Sequence, residues 1–178
     1  MPDRLEAVAG NLIVLEQAVA ALRRLDDTTY ASGGAAPGIS PVGVHFRHVF
    51  DHYQAFFTGL PDGAIDYDAR VRQVPLETDR TLALATALGY LGDLARLPTG
   101  VAARPVRVTL RSVAGSGTDP DWSESSVKRE LQFLVSHTVH HYALIKELLR
   151  REGFDPGETF GVAPSTLQAR DSEAACAR

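Results

Sequence analysis

The chain has 178 residues, 44% of them hydrophobic, a net charge of −4 and a single cysteine, Cys176. That length predicts one domain over residues 1–178 with a sizeable core, and without a basic cluster it argues against nucleic acid as a partner. No possible internal disulfide, acids in Met1-Pro-Asp-Arg-Leu-Glu6 where a signal peptide carries basic residues, and no apolar run of the ~18 residues that cross a membrane together predict a soluble, cytoplasmic protein with no membrane partner.

Residues 3 to 25 read as the first helix, because Leu5, Val8, Leu12, Leu15, Val19 and Leu22 keep a helical stripe. Ala31 to Gly38, with Gly33-Gly34 and Pro37-Gly38, reads as a loop. Ser40-Pro41 predicts the start of the second helix, with serine capping free amides and proline at the first helical position. This helix runs through Phe57 and ends near Gly59 and Pro61. Residues 60 to 76 are polar and mixed, longer than a connector between antiparallel helices requires. They read either as a pocket rim or as a solvated crossover.

The third helix is predicted over Glu77 to Leu97, closed by Pro98 and Gly100. In Pro105 to Val113, Val106, Val108 and Leu110 alternate with Arg107, Thr109 and Arg111, a period of two that marks one arm of a short hairpin, with Gly115, Gly117 and Pro120 following. The fourth helix begins between Ser123 and Ser126 and runs to Glu152. Leu131, Leu134, Val135, Thr138, Tyr142, Ile145 and Leu149 form its buried stripe. Gly153 fits the left-handed position that ends many helices, with Phe154 set to touch Leu149. Phe160 to Leu167 is too apolar for a free tail and is predicted to wrap the bundle. Residues 170 to 178 are polar and predicted to fray.

The six histidines of the chain fall in just two of these helices. His45, His48 and His52 recur at steps of three and four in the second helix. His137 and His141 leave one face of the fourth, one turn apart. A polar ring beside a dry core needs a hydrogen-bond partner or a metal. Neutral imidazole suits zinc, nickel, copper and iron, and a pair at i and i+4 plus one ligand from a facing helix leaves a coordination position open. Spacing alone does not choose among His45, His48 and His52. His140 points about 100° away from His141 and is the weakest candidate in its helix. The zinc-protease pattern His-Glu-x-x-His is absent, since Thr138 follows His137.

Val44-His-Phe-Arg-His-Val-Phe-Asp-His-Tyr53 together with Ser136-His-Thr-Val-His-His-Tyr-Ala143 resembles the DinB family of metal-binding four-helix bundles, whose wider superfamily includes bacillithiol- and mycothiol-dependent S-transferases. The resemblance extends to helix order, the long second crossover and the closing Phe160 segment. It implies an all-α, up-down-down-up four-helix bundle with a small accessory hairpin or extended segment and a C-terminal wrap. It also implies a divalent metal, nickel or zinc before iron or manganese, held by His48, His137 and His141. His45 and His52 are then left for supporting contacts or proton transfer. Many members read Arg-Gly-Gln where this chain has Tyr142-Ala143-Leu144, so a thiol-binding role of that arginine does not carry over.

Two functions follow as expectations. One is a metal-dependent thiol S-transferase or hydrolase acting on a small molecule, with a low-molecular-weight thiol as partner and a homodimer as assembly. The other is a non-catalytic metal- or ligand-binding bundle that works through protein association. An open coordination position favours the first, a closed site of four protein ligands the second.

Overall fold

Apolar side chains at three- and four-residue steps wind this sequence into helices. Six of them run through the computed structural model, which describes residues 6–34, 36–114 and 119–176. The first, α1 (Glu6–Arg24), buries Val8, Leu15, Val19 and Leu22 from the predicted stripe, while Leu12 is half-buried. Residues 3–5 of the expected first helix lie outside the described residues. A short helix, α2 (Asp27–Ser32), takes in Ala31 and Ser32, the first two residues of the predicted loop; Asp26 caps it, with Oδ1 accepting from the Thr29 amide at 2.8 Å. The sequence signal for it was that aspartate.

Helix α3 (Val42–Gly59) starts one residue later than predicted. Pro41 sits before it in an extended conformation, no side chain caps the helix, and Ser40 does not fill that role. Within the long crossover lies β1 (Ala64–Asp66), then a 3-10 turn over Val74–Glu77. Helix α4 (Arg80–Ala95) begins three residues after the predicted Glu77, because Asp79 caps it through the Leu82 amide at 2.8 Å.

Strand β2 (Pro105–Thr109) is shorter than the alternating stretch that announced it. It pairs antiparallel with β3 (Ser123–Ser126), the expected hairpin, and parallel with β1, giving a three-stranded sheet in the order β1-β2-β3. Gly115 and Gly117, expected to turn the hairpin, lie outside the described residues. Ser123–Ser126 is therefore strand rather than helix start. Ser126 ends it by capping α5 (Val127–Arg151), with its Oγ accepting from the Arg129 amide at 3.3 Å.

The protein is thus mostly helical with a small sheet. Among the long helices α1 packs on α4 and α5, and α3 packs on α5 and α4. Leu15, Leu22, Phe46, Phe50, Phe56, Leu131, Leu134, Ile145 and Leu149 are buried in one continuous cluster. Burying each such side chain contributes about 1.5–3 kcal/mol. The buried Asn11 ties three helices together. Its Nδ2 donates to the Leu131 and Ala7 carbonyls at 2.8 and 2.7 Å, and its Oδ1 accepts from the Tyr53 hydroxyl at 2.7 Å.

The end of α5 follows its predicted signals. Gly153 has φ of +75°, and the Phe154 amide reaches back to the Leu149 carbonyl at 2.9 Å. The segment after it wraps the helices as expected. Phe160 stacks on Tyr142 at 4.5 Å with the rings 5° from parallel, and Lys146 Nζ donates to the carbonyls of Gly157 and Glu158, both at 2.9 Å. At Gly161, with φ of +68°, a Cβ would lie 2.5 Å from the Ala143 nitrogen, so only glycine fits there. The polar end does not fray within the described residues: α6 (Pro164–Cys176) continues to Cys176, and residues 177–178 lie beyond them. Among the described residues no helix is long and apolar enough to cross a membrane.

Candidate metal centre

Helices α3 and α5 pack together, so the histidine faces predicted on each meet. The expected three converge: ring centroids are 5.0 Å apart for His48 and His137, 4.6 Å for His48 and His141, and 4.6 Å for His137 and His141. His52 joins them, 3.9 Å from His137 and 4.6 Å from His48. His48, His52 and His137 each offer a ligand atom within 4.8 Å of the others, an arrangement that could hold a metal ion. His45 lies on the far side of His141, with the two Nδ1 atoms 3.1 Å apart. His140 is exposed on the surface, as its position on the helix predicted.

Hydrogen bonding separates these rings. His52 Nδ1 donates to the His48 carbonyl at 2.8 Å, and Arg70 Nη1 donates to His52 Nε2 at 3.0 Å. A guanidinium only donates, so His52 is the neutral Nδ1–H tautomer with both nitrogens engaged. His141 shares Nδ1 with His45, which leaves Nε2 unengaged. His137 Nε2 is buried and has no hydrogen-bond partner among the described residues. No protein hydrogen bond among the described residues reaches the His48 ring.

Electrostatics keep the cluster neutral. Burial, reinforced by His52, lowers His48 to about 3 and His137 to about 2. Burial, only partly offset by the His48 carbonyl, lowers His52 to about 4, and burial with His45 lowers His141 to about 4. His45 is lowered too, by burial and then by His140. Neutral rings keep a lone pair available to a metal at neutral pH.

The crossover between α3 and α4 supplies the residues that sequence spacing missed. Arg70 comes from that stretch to meet His52 eighteen residues earlier. Arg47, one residue before His48, pairs with the buried Asp51 and with Glu77, both at 3.0 Å. One turn before His137, Phe133 stacks on the His137 ring at 5.6 Å and also faces His52 and Tyr67. No periodicity in the crossover marks Arg70; its neighbour Asp66-Tyr67-Asp68 is equally polar.

No family model matches this chain, and no solved structure does. A curated protein, FK506-binding protein 5 of Rhizopus delemar, is 32% identical over 104 residues, which cover 58% of this chain. The match spans about a quarter of that protein's own length, 27%.

Proposed function

We propose that this chain is a DinB-like metal-binding four-helix bundle in which His48, His137 and His141 hold a divalent ion, nickel or zinc before iron or manganese. We further propose that it acts on a small molecule as a thiol S-transferase or hydrolase. The observation that carries this reading is the buried, unpartnered His137 Nε2 within a nest of neutral imidazoles from two facing helices. A buried polar atom left unpaired costs about 1–3 kcal/mol, and nothing in the apolar core repays it. Metal coordination does, and the donor set of imidazole nitrogens suits the named ions.

His48 and His137 belong to the ligand set on either choice of third ring. His141 is the third because its Nε2 is unengaged, whereas both nitrogens of His52 are committed. In this reading His45 fixes the orientation of His141, and His52 buttresses the His48 segment through its carbonyl. When bound, a divalent ion supplies Lewis acidity that lowers the pKa of a coordinated water or thiol. The protein contributes three neutral ligands and the wall of Phe133 and Tyr67 that limits water.

Elemental analysis of the purified protein tests the assignment. One ion per chain is expected in the wild type. His48→Ala, His137→Ala and His141→Ala are each expected to lower affinity by more than about 100-fold, since partners of ligands alone are worth about 10–100-fold. His52→Ala should keep the ion. Full occupancy in His137→Ala would overturn the site, and loss in His52→Ala with retention in His141→Ala would exchange the third ligand. Thiol-transfer assays with several bacterial thiols then test the chemistry.

One observation favours the second reading, association through an apolar face. A groove of about 390 Å³ between α1, α5 and the start of α6 is lined by Ile13, Val135, Val139 and Leu167. Sedimentation of the metal-loaded and metal-free chain distinguishes a homodimer from a monomer.

A further inference from the structure

Arg70 stands on the crossover between α3 and α4, against His52. It is half-buried, and among the described residues no carboxylate lies within ion-pair distance of it. Its one hydrogen bond to protein runs to His52 Nε2, a neutral acceptor. Its Nε is buried and has no hydrogen-bond partner among the described residues. The acids closest in effect are already engaged elsewhere. Asp51 accepts from Arg47 at 3.0 Å and from the Gln73 amide at 3.5 Å, while Asp68 accepts from the Arg111 amide at 2.7 Å. Arg47, the other guanidinium beside the histidines, is by contrast paired with two carboxylates. The protein thus partly desolvates one permanent positive charge, leaves its Nε–H unsatisfied among the described residues, and sets it against the ring that buttresses His48. Burial works against that charge, lowering its pKa despite Asp51 and Asp68.

A guanidinium in that condition is matched by a planar or tetrahedral oxyanion, which accepts from two of its N–H groups at once. We propose that Arg70 is an anion-binding residue of the histidine site, so that the small molecule handled there carries a carboxylate, phosphate or sulfonate group. That it serves a substrate rests on the metal-centre reading; the anion site itself does not. Arg70 holds the anionic end while the histidine face receives the rest of the molecule. A neutral molecule of equal shape leaves the guanidinium unpaired and is discriminated against on that ground.

Calorimetry with benzoate and its neutral counterpart benzamide tests this on the protein as purified, with inorganic phosphate as a second anion. Benzoate or phosphate should bind and benzamide should not. Arg70→Gln should weaken anion binding by about tenfold or more with metal content and melting temperature unchanged. Arg70→Lys should recover part of the affinity, because it keeps the charge without the fork. His52→Ala removes the ring partner of Nη1 and should keep anion affinity. A loss there as large as in Arg70→Gln makes Arg70 only an anchor for His52 and overturns the proposal. Undiminished benzoate binding in Arg70→Gln, or no anion binding by the wild type, overturns it equally. The two readings fail separately. Arg70-dependent benzoate binding by a chain that never takes up metal sinks the metal centre and upholds the anion site. A metal-loaded chain whose anion binding ignores Arg70 does the reverse.

Discussion

Glu130 and His137 stand seven residues apart on α5, about two turns, and share Phe133 as a wall between them. Around Glu130 every polar group has an assigned partner. The carboxylate, 1% exposed, accepts from the Tyr67 hydroxyl at 3.0 Å and from Ser125 Oγ at 2.6 Å. That nest joins the crossover, the sheet and α5, and it is closed. Around His137 the opposite holds among the described residues: rings crowd one another, a buried nitrogen has no partner, and the Arg70 guanidinium beside His52 has no carboxylate at ion-pair distance. The same helix therefore carries one polar cluster complete in itself and another that protein alone does not complete. Buried polar groups of the first kind stabilise a fold, and those of the second kind mark a place where something else binds.

Acid separates the two clusters most strongly. Four rings of the open cluster are depressed to between about 2 and 4, whereas an unfolded histidine titrates near ~6.5. Below pH ~6.5 the unfolded chain takes up protons that the folded chain refuses. Stability of the metal-free protein should therefore be full above that pH, fall as pH drops through it, and go on falling until the folded values are passed. Metal affinity should decline over the same range as protons compete for the rings. Urea unfolding of chelator-treated protein between pH 7 and 4 measures the first, and a flat profile would break the comparison.

Glu130→Ala should cost about 2–3 kcal/mol in urea unfolding, the penalty for leaving the buried Tyr67 hydroxyl and its carboxylate's other donors unpaired. Metal content should not change. A parallel loss of metal would show that the two clusters act as one unit across Phe133. The smallest effect calibrates the others: Gly153→Ala, at φ of +75° and remote from both clusters, should cost about 1 kcal/mol and alter neither metal content nor pH profile.

What could be read from the sequence follows from local signals. The histidine steps on α3 and α5, the apolar stripes, and Gly153 with Phe154 act within one or two helical turns, and each appears in the structure. Spacing alone left His45, His48 and His52 open; it was the family resemblance that singled out His48 with His137 and His141, whose rings lie together in the structure. What escaped depends on contacts distant in sequence. Strand β1 has three residues and no period of its own; it exists because β2 pairs alongside it, Ile65 opposite Val108. Ser123–Ser126 is as polar as a helix start and becomes a strand only by pairing with β2. His52 looked interchangeable with His48 by spacing, and Arg70, reaching back across the crossover, is what tells them apart.

The crossing of the C-terminal segment over α5 has a mechanical consequence. Gly161 runs so close to the helix backbone at Tyr142 and Ala143 that no side chain fits between, and Lys146 clasps the carbonyls just before it. His141 is the residue immediately before that crossing. The helix carrying two of the three proposed ligands is splinted from outside, like a beam held in a bracket, and cannot slide or turn at that point without lifting the whole strap. Arg70 lies on a stretch with neither helix nor strand, held instead by the Tyr67 hydroxyl donating to Glu130 and by Asp68 accepting from the Arg111 amide. The histidine site is therefore braced along both walls, by the strap outside α5 and by these bonds along the crossover.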